Sequence, residues 1–303
     1  MHNAFEPGDP VLDLAAQSRH TPHSESHWIE RDEQKKVDAI LDGTESGHYY
    51  LLIGEKGTGK SSMLIEGMAK VNGDGISMFE AHGDVEIFRI RLGKALDFEF
   101  HEDNIGSLFS IRGPRDASAL LDIERAFNKL EKVALKRRND GKKPMVLIIN
   151  SLHLVRDNED GKDLLELVQQ RAEAWAAGNL LTVVFNSDEY WVYERLKEHA
   201  TRLEVVPIVD LTKNQALIAL RKYRKKYFHE DPPEELLEKV YERIGGRLSF
   251  LNSVAKAGDM LKLCDQICDR EKTWFLNQCW IFGEAMDDDV MNQQKYAVSL
   301  LLL

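Results

Sequence analysis

Eight consecutive residues have the types and the order that phosphate binding requires. They satisfy the pattern G-x-x-x-x-G-K-[ST] at every fixed position: Gly54, Glu55, Lys56, Gly57, Thr58, Gly59, Lys60 and Ser61. Glycines let a loop curl until its backbone N–H groups point at phosphate oxygens; the lysine then reaches the β- and γ-phosphates, and the last hydroxyl binds Mg²⁺. The pattern therefore predicts a nucleoside triphosphate site, with ATP as the nucleotide and Ser61 as a ligand of its Mg²⁺.

The segments on either side of this loop must hold it in place. Residues 49–53 are a short apolar run that predicts a buried strand, and the apolar residues of 62–69 follow helical spacing. A helix that begins at the loop directs the positive end of its dipole at the same anion. Ser62, at the start of that helix, completes the predicted nucleotide-binding set.

Composition indicates a globular chain with an acidic surface. Of the 303 residues, 43% are hydrophobic, and the formal net charge of −11 argues against broad nucleic-acid binding. Cys264, Cys268 and Cys279 form no C-x-x-C pair, so we expect no disulfide framework and an intracellular reducing compartment: cytosol, nucleus or mitochondrial matrix. No apolar run has the length of a membrane span.

Alternating strand and helix patterns predict an α/β fold, a three-layer sandwich around a parallel sheet. Strands are predicted at 49–53, 76–80, 145–150, 180–186 and 203–208, and helices at 85–98, 117–136, 162–176 and 188–200. The run 145–149 is wholly apolar, as in a strand that is covered on both faces.

Beyond this core the pattern is helical, at 212–227, 233–244 and 248–268. We therefore divide the chain into an extended arm (1–27), a P-loop core (28–208) and a small all-α lid domain (209–270). The last segment (271–303) is predicted to be helical and to begin a winged-helix-like module of a longer protein.

Over residues 28–256 this layout resembles the AAA+ ATPases, above all the origin-recognition and archaeal-type ATPases and their STAND relatives. Ile29, within the run Ile-Glu-Arg-Asp-Glu, resembles the opening motif whose apolar residue touches adenine. Packing at the start of a helix explains Ile29 equally well.

Asn150 and Ser151 depart from the family pattern. They occupy the Walker B position, where the family has four apolar residues and then Asp and Glu. Asn150 can still accept a hydrogen bond from a magnesium-bound water and remains the candidate metal residue, but Ser151 cannot replace a carboxylate as a base. Asp157 and Glu80 are candidate replacements that no motif places. The departure puts hydrolysis in doubt.

The resemblance assigns roles to three more polar residues. Asn186, at the end of a strand, corresponds to sensor 1; Arg202, before the last strand, corresponds to the arginine finger; and Arg247, after two glycines, corresponds to sensor 2. Arg195 is an alternative finger. A turn residue at Asn186 and a surface ion pair at Arg202 are the structural alternatives.

Three functions follow from these residues. The first is an ATP-binding module that couples the nucleotide state to a conformational change acting on a protein or nucleoprotein partner, with homo-oligomerisation left open. The second is a nucleotide switch with little hydrolysis, which Asn150 and Ser151 favour. The third is an origin-recognition type of loader that binds DNA, against which the negative charge counts.

Overall fold

The computed structural model describes residues 1, 3–8, 28–100 and 119–279. The described residues fall into two compact units, one that ends at Val209 and one that begins at Asp210. In the first unit the helices are α1 (Asp32–Leu41), α2 (Lys60–Lys70), α3 (Val85–Ala95), α4 (Ala119–Asn139), α5 (Glu159–Ala177) and α6 (Trp191–Lys197). The strands are β1 (Tyr49–Ile53), β2 (Ile76–Glu80), β3 (Met145–Asn150), β4 (Leu181–Ser187) and β5 (Leu203–Pro207).

The five strands form one parallel sheet in the order β2-β3-β4-β1-β5. Alternate residues of β1 enter two separate hydrophobic cores, Tyr49 and Leu51 on one face and Tyr50 and Leu52 on the other. Because helices cover both faces of the sheet, β1, β3 and β4 are buried almost throughout. The predicted three-layer α/β sandwich with a parallel sheet is confirmed.

The carboxyl ends of the strands define the working edge of the sheet. Leu52 is in register with Asn186, and Glu80 is in register with Asn150. Since all strands run in the same direction, the polar residues that end β2, β3 and β4 share the edge that carries the phosphate loop after β1.

The second unit consists of α7 (Lys213–Phe228), α8 (Glu234–Ile244), α9 (Leu248–Ala255) and α10 (Met260–Cys279). Arg224 stabilises it from inside: its guanidinium lies 3.9 Å from the ring centre of Phe228, pairs with Glu230 at 2.9 Å and donates to the Ala255 carbonyl at 3.3 Å. Residues 221–228 (Arg-Lys-Tyr-Arg-Lys-Lys-Tyr-Phe) are a basic run interleaved with aromatic residues, and the Arg224 of this run is a packing residue.

Some predicted boundaries were wrong. One helix was expected over 248–268, but the chain breaks after Ala255, and Asp259 accepts a hydrogen bond from the backbone N–H of Lys262 to begin a second helix. The helix expected over 85–98 ends at Ala95, because Asp97 adopts a left-handed conformation with φ of 48°. The helix predicted at 188–200 covers only Trp191–Lys197.

The N-terminal and C-terminal segments are described in part. Residues Asn3–Phe5 form a turn of 3-10 helix, the Phe5 side chain is buried in the core, and the Gly75 backbone N–H donates to the Phe5 carbonyl. The rest of the predicted arm, 9–27, lies outside the described residues, as do 280–303. α10 runs through position 271 without a break. Among the described residues, no helix is both long and apolar enough to cross a membrane.

Candidate functional site

The phosphate loop connects the end of β1 to the start of α2, and its conformation explains its glycines. Gly57 and Gly59 have φ of 87° and 102°, values that favour glycine. Gly54 is required for a different reason: a Cβ there would lie 2.1 Å from the Ile208 carbonyl oxygen. Glu55, Lys56 and Ser62 are exposed, whereas Thr58 is buried and its hydroxyl donates to the Glu55 carbonyl at 3.0 Å.

Arg31 ties this loop to the rest of the unit. Its buried guanidinium donates to the carbonyls of Thr58 at 2.8 Å and Val209 at 2.5 Å, and it pairs with Glu33 at 2.9 Å. Ile29 is also buried, at the approach to α1. Arg31 lies in the same sequence motif as Ile29, but nothing in the sequence around it indicates that it binds the phosphate loop; that contact depends on the fold.

Lys60 lies inside the loop. Its side chain is 3% exposed, and its ammonium contacts the carbonyl oxygens of Gly54 at 2.6 Å and Glu55 at 2.9 Å and the carboxylate of Asp188 at 2.7 Å. An ammonium group has three donors, so all three are engaged in this state. A bound phosphate must therefore displace at least one of these partners.

Ser61, Asn150 and Asn186 form a polar cluster at the carboxyl edge. The Ser61 hydroxyl donates to Asn150 Oδ1 at 3.0 Å, and Asn186 Nδ2 donates to Ser61 Oγ at 3.0 Å and to Asn150 Oδ1 at 2.5 Å. The buried Asn186 Oδ1 has no hydrogen-bond partner among the described residues. A buried acceptor at this place can take a hydrogen bond from a water or from a donor on a ligand.

This cluster is suited to a magnesium ion that a nucleotide brings with it. Its candidate ligands are neutral oxygens, and the part of the chain that the structure describes contains no group of three or more His, Cys, Asp or Glu side chains able to hold a metal. Mg²⁺ commonly takes few protein ligands, together with waters and phosphate oxygens. Ser61 and Asn150 fit that role, but they do not make a site that would hold the ion alone.

Two residues without a predicted role also lie at this edge. Asp188 follows Asn186 by two positions and pairs with Lys60, and its backbone N–H donates to His153 Nδ1 at 3.1 Å. Because Nδ1 is the acceptor, a neutral His153 carries its proton on Nε2, which lies 3.8 Å from the Asp188 carboxylate. Proximity to the strand end was the one sequence signal that could have identified Asp188.

The candidate replacement acids lie in different surroundings. Glu80 Oε1 accepts a hydrogen bond from the Ser151 hydroxyl at 3.2 Å, whereas Asp157 pairs with Arg195 at 3.3 Å. Ser151 has φ of 56°, a left-handed conformation that is uncommon outside glycine. The fold therefore brings Glu80, but not Asp157, to the residue that stands where the family has its acid.

Arg202 lies away from this edge of its own chain. It precedes β5, at the amino edge of the sheet, is exposed, and donates to the Gly47 carbonyl at 3.4 Å. Its backbone N–H and that of Thr201 donate to Glu173. Although burial alone would raise it, the pKa of Glu173 is lowered by these bonds and by those from the Thr201 and Tyr49 hydroxyls.

Arg247 belongs to the second unit. It follows the turn of Gly245 and Gly246, and its guanidinium pairs with Asp210 at 2.6 Å. The turn demands glycine, because a Cβ at Gly246 would lie 1.9 Å from the Leu211 carbonyl oxygen.

A parallel sheet of this strand order, with a glycine loop, a buried lysine and a polar cluster at its carboxyl edge, defines the fold of the P-loop nucleoside triphosphatases. More particularly, the chain belongs to the AAA ATPase domain family, whose sequence profile matches residues 27–183, more than half of its length.

Comparison with other proteins agrees with this class. The structure is similar to that of the Walker-type ATPase PABY2304 of Pyrococcus abyssi, with a TM-score of 0.56 and 16% sequence identity, over 83% of this chain and 74% of that one. At this identity the similarity concerns the fold alone. No curated protein matches the chain at a significant level.

Proposed function

We propose that this chain binds ATP with Mg²⁺ and couples the nucleotide state to a conformational change that acts on a protein or nucleoprotein partner. The observation that supports the proposal is that Lys60 and the cluster of Ser61, Asn150 and Asn186 lie at the same edge of the sheet. This edge therefore offers a cation that can bind phosphate, oxygens that can bind a metal, and a buried acceptor, Asn186 Oδ1, without a described partner.

In this proposal the phosphate loop receives the triphosphate through its backbone N–H groups and the start of α2. Lys60 would leave Asp188 and reach the β- and γ-phosphates, and Ser61 and Asn150 would be the residues that hold the hydrated Mg²⁺. When bound, the ion would neutralise phosphate charge. Asn186 turns its amide toward the γ-phosphate and its water, as sensor 1, and Ile29 contributes to the adenine end.

The second unit is proposed to act as the lid. Arg247 pairs with Asp210 without nucleotide, and an anion that competes for its guanidinium would release that pair. The change of partner would transmit the nucleotide state to residues 210–279. Arg202, which is remote from its own chain's site, would act as a finger only in a homo-oligomer.

Binding and turnover measured on one sample test this proposal. Calorimetry should detect MgATP binding that Lys60→Ala weakens by about tenfold or more, and hydrogen exchange at 245–255 should change when ATP is added. The proposal fails if the parent chain and Lys60→Ala give the same binding signal, or if exchange in the second unit does not respond to bound ATP.

A hydrolysis-deficient switch or scaffold is the second candidate, favoured by Asn150 and Ser151 in place of the two acids. Intact ATP recovered from a saturated complex after hours would support it. The double change Asn150→Asp and Ser151→Glu should then produce turnover if those two residues silence the site.

A DNA loader is the third candidate and has least support, because the chain carries a net charge of −11 and Arg224 is used in packing. Duplex binding at low salt that weakens steeply with added salt would favour it, and no binding at low salt would remove it.

A further inference from the structure

We infer that Glu80, on β2, is the general base for ATP hydrolysis, and that Ser151 on β3 holds its carboxylate in position. This inference rests on the proposed function of the site. Glu80 is in register with Asn150, and its Oε1 lies 3.2 Å from the Ser151 hydroxyl oxygen. The acid missing from the end of β3 is therefore supplied from the neighbouring strand.

The carboxylates at this edge differ in their partners. Asp188 contacts the Lys60 ammonium at 2.7 Å, and Asp157 contacts the Arg195 guanidinium at 3.3 Å. Glu80 instead accepts from a neutral hydroxyl. Among the contacts that the structure describes, both aspartates are therefore engaged by cations, whereas the Glu80 carboxylate meets a hydroxyl and can still accept from a water.

The backbone around Glu80 is held firmly. Arg91 donates to the carbonyl oxygens of Glu80 at 3.1 Å and Ala81 at 2.9 Å, and the Ala81 N–H donates to the Asn150 carbonyl at 2.8 Å. These bonds fix the end of β2 against the end of β3. A base that is fixed in this way needs little rearrangement before the reaction.

The backbone of Ser151 is a second observation that favours this geometry. A φ of 56° is strained for a non-glycine residue, and such strain concentrates at functional sites. In this conformation the Ser151 hydroxyl meets the Glu80 carboxylate. Its hydrogen bond occupies one lone pair of the carboxylate and leaves the others to accept from water.

The reaction step is as follows. A water oxygen forms a bond to the γ-phosphorus of ATP, and one proton of that water passes to a Glu80 carboxylate oxygen. The bond between the γ-phosphorus and the β–γ bridging oxygen breaks, and its electron pair stays on that oxygen, which becomes part of ADP. Glu80 then returns the proton to solvent or to the phosphate, so no further reactant is needed.

The test compares Glu80→Gln with Glu86→Gln in the full chain. Glu86 is a matched control because, within the part of the chain that the structure describes, its side chain pairs with Arg89 on the surface of α3 and lies outside the strand ends. We expect both variants to bind MgATP as the parent does, and only Glu80→Gln to lower the single-turnover rate, by about 10²- to 10⁴-fold. Glu80→Asp should give an intermediate rate, because it keeps a carboxylate that is one methylene shorter.

A measurement without turnover supports the same comparison. ADP with Mg²⁺ and tetrafluoroaluminate mimics the transferring phosphoryl group and its attacking water, and Glu80→Gln should retain this complex for a shorter time than the parent. Ser151→Gly keeps the left-handed backbone but removes the hydroxyl, so it should bind ATP normally and show a smaller loss of both rate and retention.

The outcomes separate the two proposals. Turnover and retention by Glu80→Gln equal to those of the parent would overturn the role of Glu80. Parent protein that binds ATP but leaves it intact would also overturn that role, although the proposed nucleotide site would stand. Parent protein that does not bind ATP would overturn the proposed function itself.

Discussion

Asp188 competes with nucleotide phosphate for Lys60, so Asp188→Asn should tighten MgATP binding. The Lys60 ammonium already has three acceptors, and the one contact that carries a full negative charge is the 2.7 Å pair with Asp188. Phosphate must replace this contact or share the ammonium with it. Removing the charge weakens the competitor and also removes a repulsion between the carboxylate and the phosphates.

The expected size follows from the exposure of the pair. A hydrogen bond to a charged group contributes about 1.5–3 kcal/mol when it is sheltered. Because the Asp188 side chain is 26% exposed and Asn retains an acceptor oxygen, we expect about 1 kcal/mol, which is about fivefold in the dissociation constant. The free energy of unfolding without ligand should fall by a similar amount.

Calorimetric titration with MgATP at constant free Mg²⁺ measures this effect. Glu189→Gln is the control, since it makes the same change of charge one residue away, on a carboxylate that accepts from Trp191 at 2.8 Å. Binding by Asp188→Asn that equals that of Glu189→Gln would refute the competition. Binding weaker than that of the parent would also refute it and would instead make Asp188 part of the nucleotide site.

Three further predictions concern the supports of the site. Gly54→Ala should abolish nucleotide binding, because its Cβ would lie 2.1 Å from a backbone carbonyl, whereas Gly258→Ala, with open space around it, should not; calorimetry on both variants checks this. Arg31→Lys should lower the free energy of unfolding by about 2 kcal/mol, because a lysine cannot donate to the Thr58 and Val209 carbonyls at once as the buried guanidinium does. Urea titration measures this loss, and equal unfolding midpoints for the variant and the parent would contradict it. Glu173→Gln should lower the free energy of unfolding by about 1–2 kcal/mol at pH 7. Because the folded-state pKa of Glu173 is lowered, the stability that Glu173 contributes is present above the ordinary carboxyl pKa and is lost as pH falls through the folded value. In urea titrations the variant and the parent should therefore differ at pH 7 and converge at acidic pH.

Much of the fold could be predicted from local patterns. The apolar runs that became β1 and β3 are continuous because helices cover both faces of the sheet, and the phosphate loop has fixed positions that each serve a backbone or ligand requirement. The break between α9 and α10 was missed because the helical pattern continues across it, while Asp259 caps the second helix.

The site was less predictable because it depends on which strand ends are neighbours. Asn150 and Asn186 were chosen by position in the family pattern, and their contact with Ser61 follows from the strand order. The pairing of Asp188 with Lys60 and of Glu80 with Ser151 joins residues far apart in sequence, which no local spacing indicates. Arg31 lies in the motif that was assigned to Ile29. Its position beside the phosphate loop depends on its hydrogen bond to the carbonyl of Val209, which is 178 residues away in sequence.

Binding of a nucleoside triphosphate in the loop that holds Lys60 is the property on which the proposed function depends. Equilibrium titration of the parent chain and of Lys60→Ala with MgATP measures this directly. We expect saturable binding by the parent and a loss of about 1.5–3 kcal/mol in the variant, on the order of 10- to 150-fold in the dissociation constant. Equal binding by the two proteins, or no binding by a folded parent chain, would contradict it.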